Sequence, residues 1–576
     1  MNSIWLATAA LFIFFLGYRF YSKFIAEKIY RLDPNFKTPA HQFEDGHDFV
    51  PTNKWIVLGH HFTSVAGAAP IVGPAIAIYW GWLPAIVWVA FGTVFAAGVH
   101  DFGTMVLSIR HEGRSIGTLA DQLIGKRARI LFLFIILILV LMVNAVFAWV
   151  ISNLFISFPA SVLSIFIQIP LALWIGYYTY KKKGNMLFPT VAVLLVMYGT
   201  AVISSYVPAL QIDLVRYFGG EQNTVLFGLS TTSMAFLIWI IVLMVYVYIA
   251  SVLPVWKLLQ PRDFINAQQL VLGLGILYLG LLVMAPEVTA PMSNSEANDV
   301  SWFPLLFVTI ACGAVSGFHG LVSSGTTSKQ INKEPDARFV GYLGAVGEGA
   351  LAVITILAVA TFYSSSQDFR ETYSSFAAAG AGGLNAFIQG AGQLATGLWI
   401  PAEVARTIIA VIVVSFAATT LDTSVRLMRY IIGELGVVYK VRPLTRLHVA
   451  TSLAVLSSAA LVLLPEGPKG LGSGGYVLWP LFGTSNQLLA GISLLLITIW
   501  LKRQGRPLIY TMVPMGFLLC MALWAMIKQV VFEWSGLGQS DAKLLLFFLG
   551  AIILGFAIWI LVEAVSLLLK AEQKPD

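Results

Sequence analysis

The stretch GHHFTSVAGAAPIVGPAIA, residues 59–77, sets two histidines, three glycines and two prolines inside a chain made mostly of long apolar runs. A helix crossing lipid has to satisfy every backbone N–H and C=O within itself, so breakers at this density mark backbone that protein or cargo surrounds, not lipid. The rest of the 576 residues sets the context: 58% are hydrophobic and 11% charged. Apolar runs of about 20 residues, enough to cross a hydrocarbon core of roughly 30 Å, recur throughout. The fold class expected is an all-α polytopic membrane protein.

Run length and loop chemistry place about fifteen spans, near 3–21, 57–80, 83–109, 130–157, 160–180, 186–206, 231–253, 264–284, 302–325, 340–362, 403–431, 447–464, 476–501, 507–531 and 543–569. The net charge of +7 would suit a nucleic-acid partner were it not segregated. With the N-terminus outside, alternate loops collect the RHEGR…GKRAR group, KKK at 181–183, Lys257 with Arg262, the Arg426 to Arg446 group and KRQGR at 502–506. Of the 35 Lys and Arg, Arg216, Arg370, Arg406, Lys469, Lys528 and Lys543 fall on the other side. That asymmetry orients the chain with its C-terminus cytoplasmic in a bacterial inner membrane and makes the lipid bilayer, not nucleic acid, its partner. Trp5 to Leu16 follows no basic residue and precedes Arg19, Lys23, Lys28 and Arg31, as in a retained first span. Cys312 and Cys520 sit inside apolar runs and read as small packing residues. The inner loop HQFEDGHDF offers His41, Asp45, His47 and Asp48 without regular metal-ligand spacing, so no metal site is assigned. The outer segment 364–402, apolar but glycine-rich, is either a lid or re-entrant piece packed on protein or a poorly ordered connector.

A second interrupted span, FPLLFVTIACGAVSGFHGLVSSGTTSK at 303–329, matches the first at one constant offset: Gly59 with Gly317, His61 with His319, Gly67 with Gly325. The two run in opposite directions through the membrane, which makes the units containing them inverted. Inverted repeats that each contribute a discontinuous helix hold substrate near the bilayer midplane in many secondary transporters. Half-helices beginning near Ile71 and near His319 would aim positive N-terminal ends at a carboxylate. Close helix packing is the alternative reading of such glycines. Candidate substrate residues are Ser64, Gly67, Ala68 and Gly73 in the first break, and Gly313, Gly317, His319, Ser323, Ser324 and Thr326 in the second.

Ionisable groups within apolar spans are costly and therefore functional candidates. Asp101, beside His100, either holds a proton or pairs with Arg110. Glu348, flanked by glycines, either takes a proton or a substrate amine or makes a structural hydrogen bond. FAATTLDTSVRLMRY at 416–430 concentrates Thr419, Thr420, Asp422, Thr423 and Ser424, with Thr420, Thr423 and Ser424 on one face. These oxygens suit a hard cation such as sodium; otherwise the threonines bond their own helix and Asp422 pairs with Arg426. His60 and His61 face an inner vestibule as gates or act as structural glue, and Asn486 makes interhelical hydrogen bonds. With no Walker loop, GxGxxG or HExxH, nothing supports nucleotide chemistry or an enzyme.

The blocks LGHHFTSVAGAAPIVGPAIA, GVHDFG, TIACGAVSGFHGLVSSGTTSKQINKEPDARFVGY, TTLDTSVRLMRYI and FGTSNQLLAG, spread over 58–491, resemble the carbon starvation protein (CstA) family. The resemblance implies bacterial inner-membrane uptake of peptides or pyruvate, with a LeuT-type core of five plus five inverted helices. On that scheme, residues 1–56 hold the first span and inner loop and 57–206 the first repeat. Inserted spans fill 207–301, the second repeat 302–501, and the C-terminal spans 502–576. The spans also divide seven plus seven. The expected activity is secondary active import of a small carboxylate-bearing nutrient, a short peptide or pyruvate, driven by protons or sodium, with no other cofactor. A nutrient sensor without transport and a histidine-dependent metal or haem membrane protein are the competing readings.

Overall fold

The computed structural model describes residues 2–569 apart from 47, 183, 185–186, 221–222, 226–227, 298 and 536–540. Among these residues the regular structure is helical, and the extended pairings are isolated bridges such as Thr52 with Ile331. In chain order the helices are α1 (Ser3–Tyr30), α2 (Lys54–Ala66), α3 (Ala69–Trp80), α4 (Trp82–Ile109), α5 (Ile116–Leu123), α6 (Lys126–Ser157) and α7 (Val162–Lys182). Next come α8 (Leu187–Tyr206), α9 (Thr231–Val252), α10 (Leu259–Met284), α11 (Trp302–Thr309), α12 (Ala311–Ala314), α13 (Gly317–Gly325) and α14 (Arg338–Ala360). The last are α15 (Ser366–Thr372), α16 (Phe376–Thr396), α17 (Ala402–Val438), α18 (Leu447–Leu463), α19 (Gly474–Arg503), α20 (Ile509–Glu533) and α21 (Asp541–Leu569).

Twelve of these helices are long and apolar enough to cross a membrane alone; α2 and α3, bent by 42° at their junction, make a thirteenth together. Residues 302–325 are divided among α11, α12 and α13, and α18 is a shorter apolar helix of 17 residues. Trp5, Phe12, Phe15 and Phe20 on α1, and Phe548, Trp559 and Val562 on α21, are exposed apolar side chains at the rim, as lipid contact requires. Cys520 is a free, exposed thiol on α20, not a packing residue; the side chain of Cys312 lies outside the described set.

The interior is built around α17, buried along most of its length and packed on α6, with α10, α16 and α18 beside it. α10 packs on α2 and α17, as α19 packs on α13 and α6. Segment 364–402 is ordered helix, not a loose connector: Ser365 and Ser375 cap α15 and α16, and α16 lies against α3 and α17. Arg262, expected in a loop, is fully buried in the first turn of α10. Arg426 and Arg429 are likewise buried, donating to the carbonyls of Ala250, Leu253 and Ser251 that end α9. These arginines cap a helix C-terminus, where unsatisfied carbonyls attract cations.

Both breaks have local causes. Gly67 ends α2 at φ +46°, a left-handed conformation, and a Cβ there would stand 2.6 Å from Thr420 Oγ1 and 2.9 Å from the Phe147 ring. Only glycine meets both the angle and the space. Between α12 and α13 the backbone of Val315 and Ser316 is extended, at φ −158° and −123°. The broken helices cross in direct contact: a Cβ on Gly73 would overlap the carbonyl of Thr309, and Gly313 faces Pro70 and Pro74.

Candidate functional site

The first break is held by α17. Thr420 Oγ1 donates to the carbonyl of Ser64 at 3.2 Å, and the Ser64 and Thr423 hydroxyls are 3.2 Å apart. Ser424 turns to Asn144 on α6, while Thr419 donates to the Ser415 carbonyl and accepts from Asn266. Thr420 and Thr423 of the hydroxyl face expected on α17 therefore meet the last turn of α2, just before the break at Gly67, while Ser424 does not. The Ala68 carbonyl accepts from the amides of Ile71 and Val72, closing the first turn of α3.

The second break is sealed differently. Asn486 Oδ1 accepts from the amide of Phe318 at 2.9 Å, and its Nδ2 donates to Ser316 Oγ at 2.9 Å. The N-terminus of α13, expected to be open to a carboxylate, is capped from α19, and Gly317 packs on the α19 backbone. Asn486 is thus a cap. Ser324 and Thr326 donate to carbonyls one turn back, Gly320 and Val322; Ser323 Oγ is buried with no partner.

His319, two residues into α13, lies at the centre of a fully buried chain of ionisable groups. Its Nδ1 is 2.9 Å from Asp101 Oδ2 and its Nε2 is 3.3 Å from Glu348 Oε1. The other Asp101 oxygen meets His100 Nδ1 at 2.7 Å. Asp101 therefore does not pair with Arg110, which instead binds Glu334 at 2.7 Å. The glycines around Glu348 admit close neighbours: Gly347 faces the Phe62 ring, and Gly344 the ring of His61. His61 Nδ1 is 3.1 Å from Thr327 Oγ1.

A second buried ionic group gathers on α10. Arg262 pairs with Asp422, correcting the expected Asp422–Arg426 pair, and Tyr246 donates to Asp422 at 2.7 Å. The next residue, Asp263, pairs with His60. Neither His60 nor His61 faces a vestibule; both are buried and bonded. Sequence reasoning missed Asp263, Tyr246 and Asn266 altogether. The available signal was QPRDFINAQQL at 260–270, where Arg262, Asp263 and Asn266 share the start of an apolar run.

One cavity opens at the C-terminal end of α13 and a second reaches the crossing itself. The first, of about 230 Å³, at the end rich in Lys and Arg, is lined by Ser324, Gly325, Lys329 and Glu434. The second, of about 680 Å³, reaches Val72 and Thr309 between Trp149, Phe376, Tyr476 and Trp479. In the loop before α2, His41 bonds Asn332, Asp45 accepts from backbone amides, and His47 lies outside the described residues. Among the described residues no group of three or more His, Cys, Asp or Glu is disposed to hold a metal ion.

The chain matches the family model described as carbon starvation protein CstA over residues 2–375 and 362–525. It is 32% identical to the Campylobacter jejuni protein named peptide transporter CstA, over 92% of this chain and 81% of that one. It is 34% identical to the Escherichia coli protein named pyruvate/proton symporter BtsT, over 62% of this chain and 49% of that one. Among solved structures, MhsT in complex with L-phenylalanine overlays with a TM-score of 0.45 and 13% identity, over 89% of this chain and 99% of that one. With two broken helices crossing beside a cavity and relatives named for transport, this multi-pass membrane protein is a transporter, and the chain belongs to the carbon starvation protein CstA family.

Proposed function

We propose that this protein is a secondary active importer that carries a small carboxylate-bearing nutrient, a short peptide or pyruvate, across the bacterial inner membrane together with protons. The observation that carries the reading is the position of His319: on a broken helix, buried, between Asp101 and Glu348. A histidine between two carboxylates offers a single proton a buried seat with an acceptor on either side, and burial makes that proton's presence matter to packing. At the competing cation site, the Asp422 charge is already matched by Arg262, which leaves hydroxyls and carbonyls at Thr419, Thr420 and Thr423 without a free anion. The relatives' names, a peptide transporter and a pyruvate/proton symporter, support the substrate class and the coupling ion.

The cytoplasm is assigned to the Lys- and Arg-rich end with the smaller cavity, the N-terminus lying outside. Substrate enters by the larger, aromatic-lined cavity and passes the crossing of α3 with α11 and α12. The matched packing of α10 and α19 suggests that they close the two inverted units, so that the first runs on to residue 284.

The test is uptake of labelled pyruvate and of labelled dialanine into proteoliposomes under an imposed proton or sodium gradient. The expected result is accumulation of one or both with a pH gradient, acid outside, and none with sodium alone. Sodium-driven uptake lost in Thr420→Ala would move the coupling site to the first break. No accumulation under either gradient would remove the symporter reading.

A further inference from the structure

The chain His100–Asp101–His319–Glu348 contains two carboxylates, and among the described residues neither ion-pairs with a Lys or Arg. Arg110 is engaged by Glu334 and Arg262 by Asp422. With both histidines neutral the chain would hold two uncompensated negative charges at no more than 1% exposure. Each such charge costs several kcal/mol inside a protein. The chain becomes neutral when it holds two protons; placed one on each histidine, they make imidazolium and carboxylate alternate along it. We propose that it is a two-proton store: His319 carries one proton between Asp101 and Glu348, and His100 carries a second beside Asp101. This rests on the proton-symport reading above and extends it to a stoichiometry and a further proton-binding residue.

The second proton has a site and a route. With His100 Nδ1–H donating to Asp101 Oδ1, the base is Nε2, which is buried and has no partner. The ring lies against Gly320, where a Cβ would stand 3.1 Å from Nε2. From His100, Thr104 and Ser108 follow at successive turns of α4; from Gly320, Ser324 and Ser328 follow in the same way. The two rows meet where Ser108 Oγ donates to Ser328 Oγ at 2.9 Å and approaches the Ser324 carbonyl at 3.1 Å. Ser324 lines the smaller cavity with Lys329 and Glu434. The Thr104 and Ser324 hydroxyls donate to carbonyls of their own helices, so a proton leaving Nε2 has to break one of these bonds to reach the Ser108–Ser328 pair at the basic end. Among the described residues, titratable groups near the chain include His61 from α2, Tyr30 and Tyr342, which donate to the α4 carbonyls of Val99 and Val94, and Tyr278 of α10, which donates to the α14 carbonyl of Ala350.

The experiment measures the limit of accumulation in proteoliposomes with the membrane potential clamped at zero and a pH difference of one unit, using labelled pyruvate or dialanine, whichever is carried. Two protons per substrate sustain about 100-fold accumulation and one proton about tenfold, since each 1.4 kcal/mol of driving force is a factor of ten. Wild type is expected near the first limit and His100→Gln near the second. A wild-type limit near tenfold overturns the two-proton store whether or not the variant folds. A variant that keeps the wild-type limit removes His100 as the second acceptor. Failure of both solutes to accumulate would instead sink the symport reading on which this rests. Ser328→Ala is expected to keep the limit while slowing its approach several-fold; an unchanged rate removes this route.

Discussion

Arg262→Met isolates the ionic group on α10. Both partners of the Arg262–Asp422 pair are 1% exposed, so the substitution strands a carboxylate whose Oδ1 already has no partner. Its Oδ2 keeps the Tyr246 hydroxyl, while the contact between Arg262 Nε and Gln168, at 3.4 Å, goes with the guanidinium. Breaking a buried pair by removing one member costs about 3–5 kcal/mol, whereas replacing both with apolar groups of similar size is often close to neutral. Arg262→Met and Asp422→Leu are therefore each expected to lower stability by about 3 kcal/mol or more, and the double variant to return to within about 1 kcal/mol of wild type. Thermal unfolding of the detergent-purified protein, measured on all four members of the cycle, supplies the check. Single variants that melt with wild type, or a double variant whose loss equals the sum of the singles, would refute the buried pairing.

Gly67→Ala forces a side chain into a left-handed conformation, at roughly 1–2 kcal/mol, and into contact with Thr420 and Phe147. Uptake is expected to fall below about a tenth of wild type through this strain and overlap; uptake above half would show that the break tolerates a Cβ. Glu348→Gln keeps the shape of the acid chain but removes one charge, so pH-driven accumulation is expected to fall about tenfold or more while counterflow of the same solute persists. Loss of both together would assign Glu348 to substrate binding instead. Asn486→Ala removes the acceptor for the Phe318 amide, with an expected cost of about 1 kcal/mol that Asn486→Asp largely avoids; equal melting of the two variants would mean that the oxygen does not cap α13.

The broken helices were legible because their cause is local. Gly67, Pro70, Gly73 and Pro74 stand inside an apolar run, and Gly313 and Gly317 repeat the pattern in the other unit. The cost of charge in lipid similarly singled out Asp101, His319 and Glu348 one by one. What sequence did not supply was partnership. Asp101 has Arg110 nine residues ahead on the same run, yet it is bound by the ring of its neighbour His100 and by that of His319, 218 residues away. Asp422 has Arg426 one helical turn on, but its partner is 160 residues back. Near-neighbour rules favour the local cation, and tertiary packing overrode them twice. Arg262 was hidden by charge counting itself: an arginine close to Lys257 at the start of an apolar run looks like loop until α10 is seen to begin at Leu259.

The two ionic groups differ in what could change their strength. On α10, adjacent residues bind in two directions: Asp263 holds His60 of α2, and Arg262 holds Asp422 of α17. The Arg262–Asp422 half is a closed pair of opposite charges, so that tie needs no ion from solution. The group on α13 is the reverse, with carboxylates in excess over fixed cations, and in the proposed proton store its cohesion would come from protons taken up from outside. Coupling transport to a gradient requires a contact that tightens when the ion is bound, since a ligand shifts a conformational equilibrium only by its differential affinity for the two states. On that criterion the α10 strap makes α2, α10 and α17 one body. Under the proposed proton symport, the His319 chain, joining α13 to α4 and α14, is the contact whose strength the gradient would set.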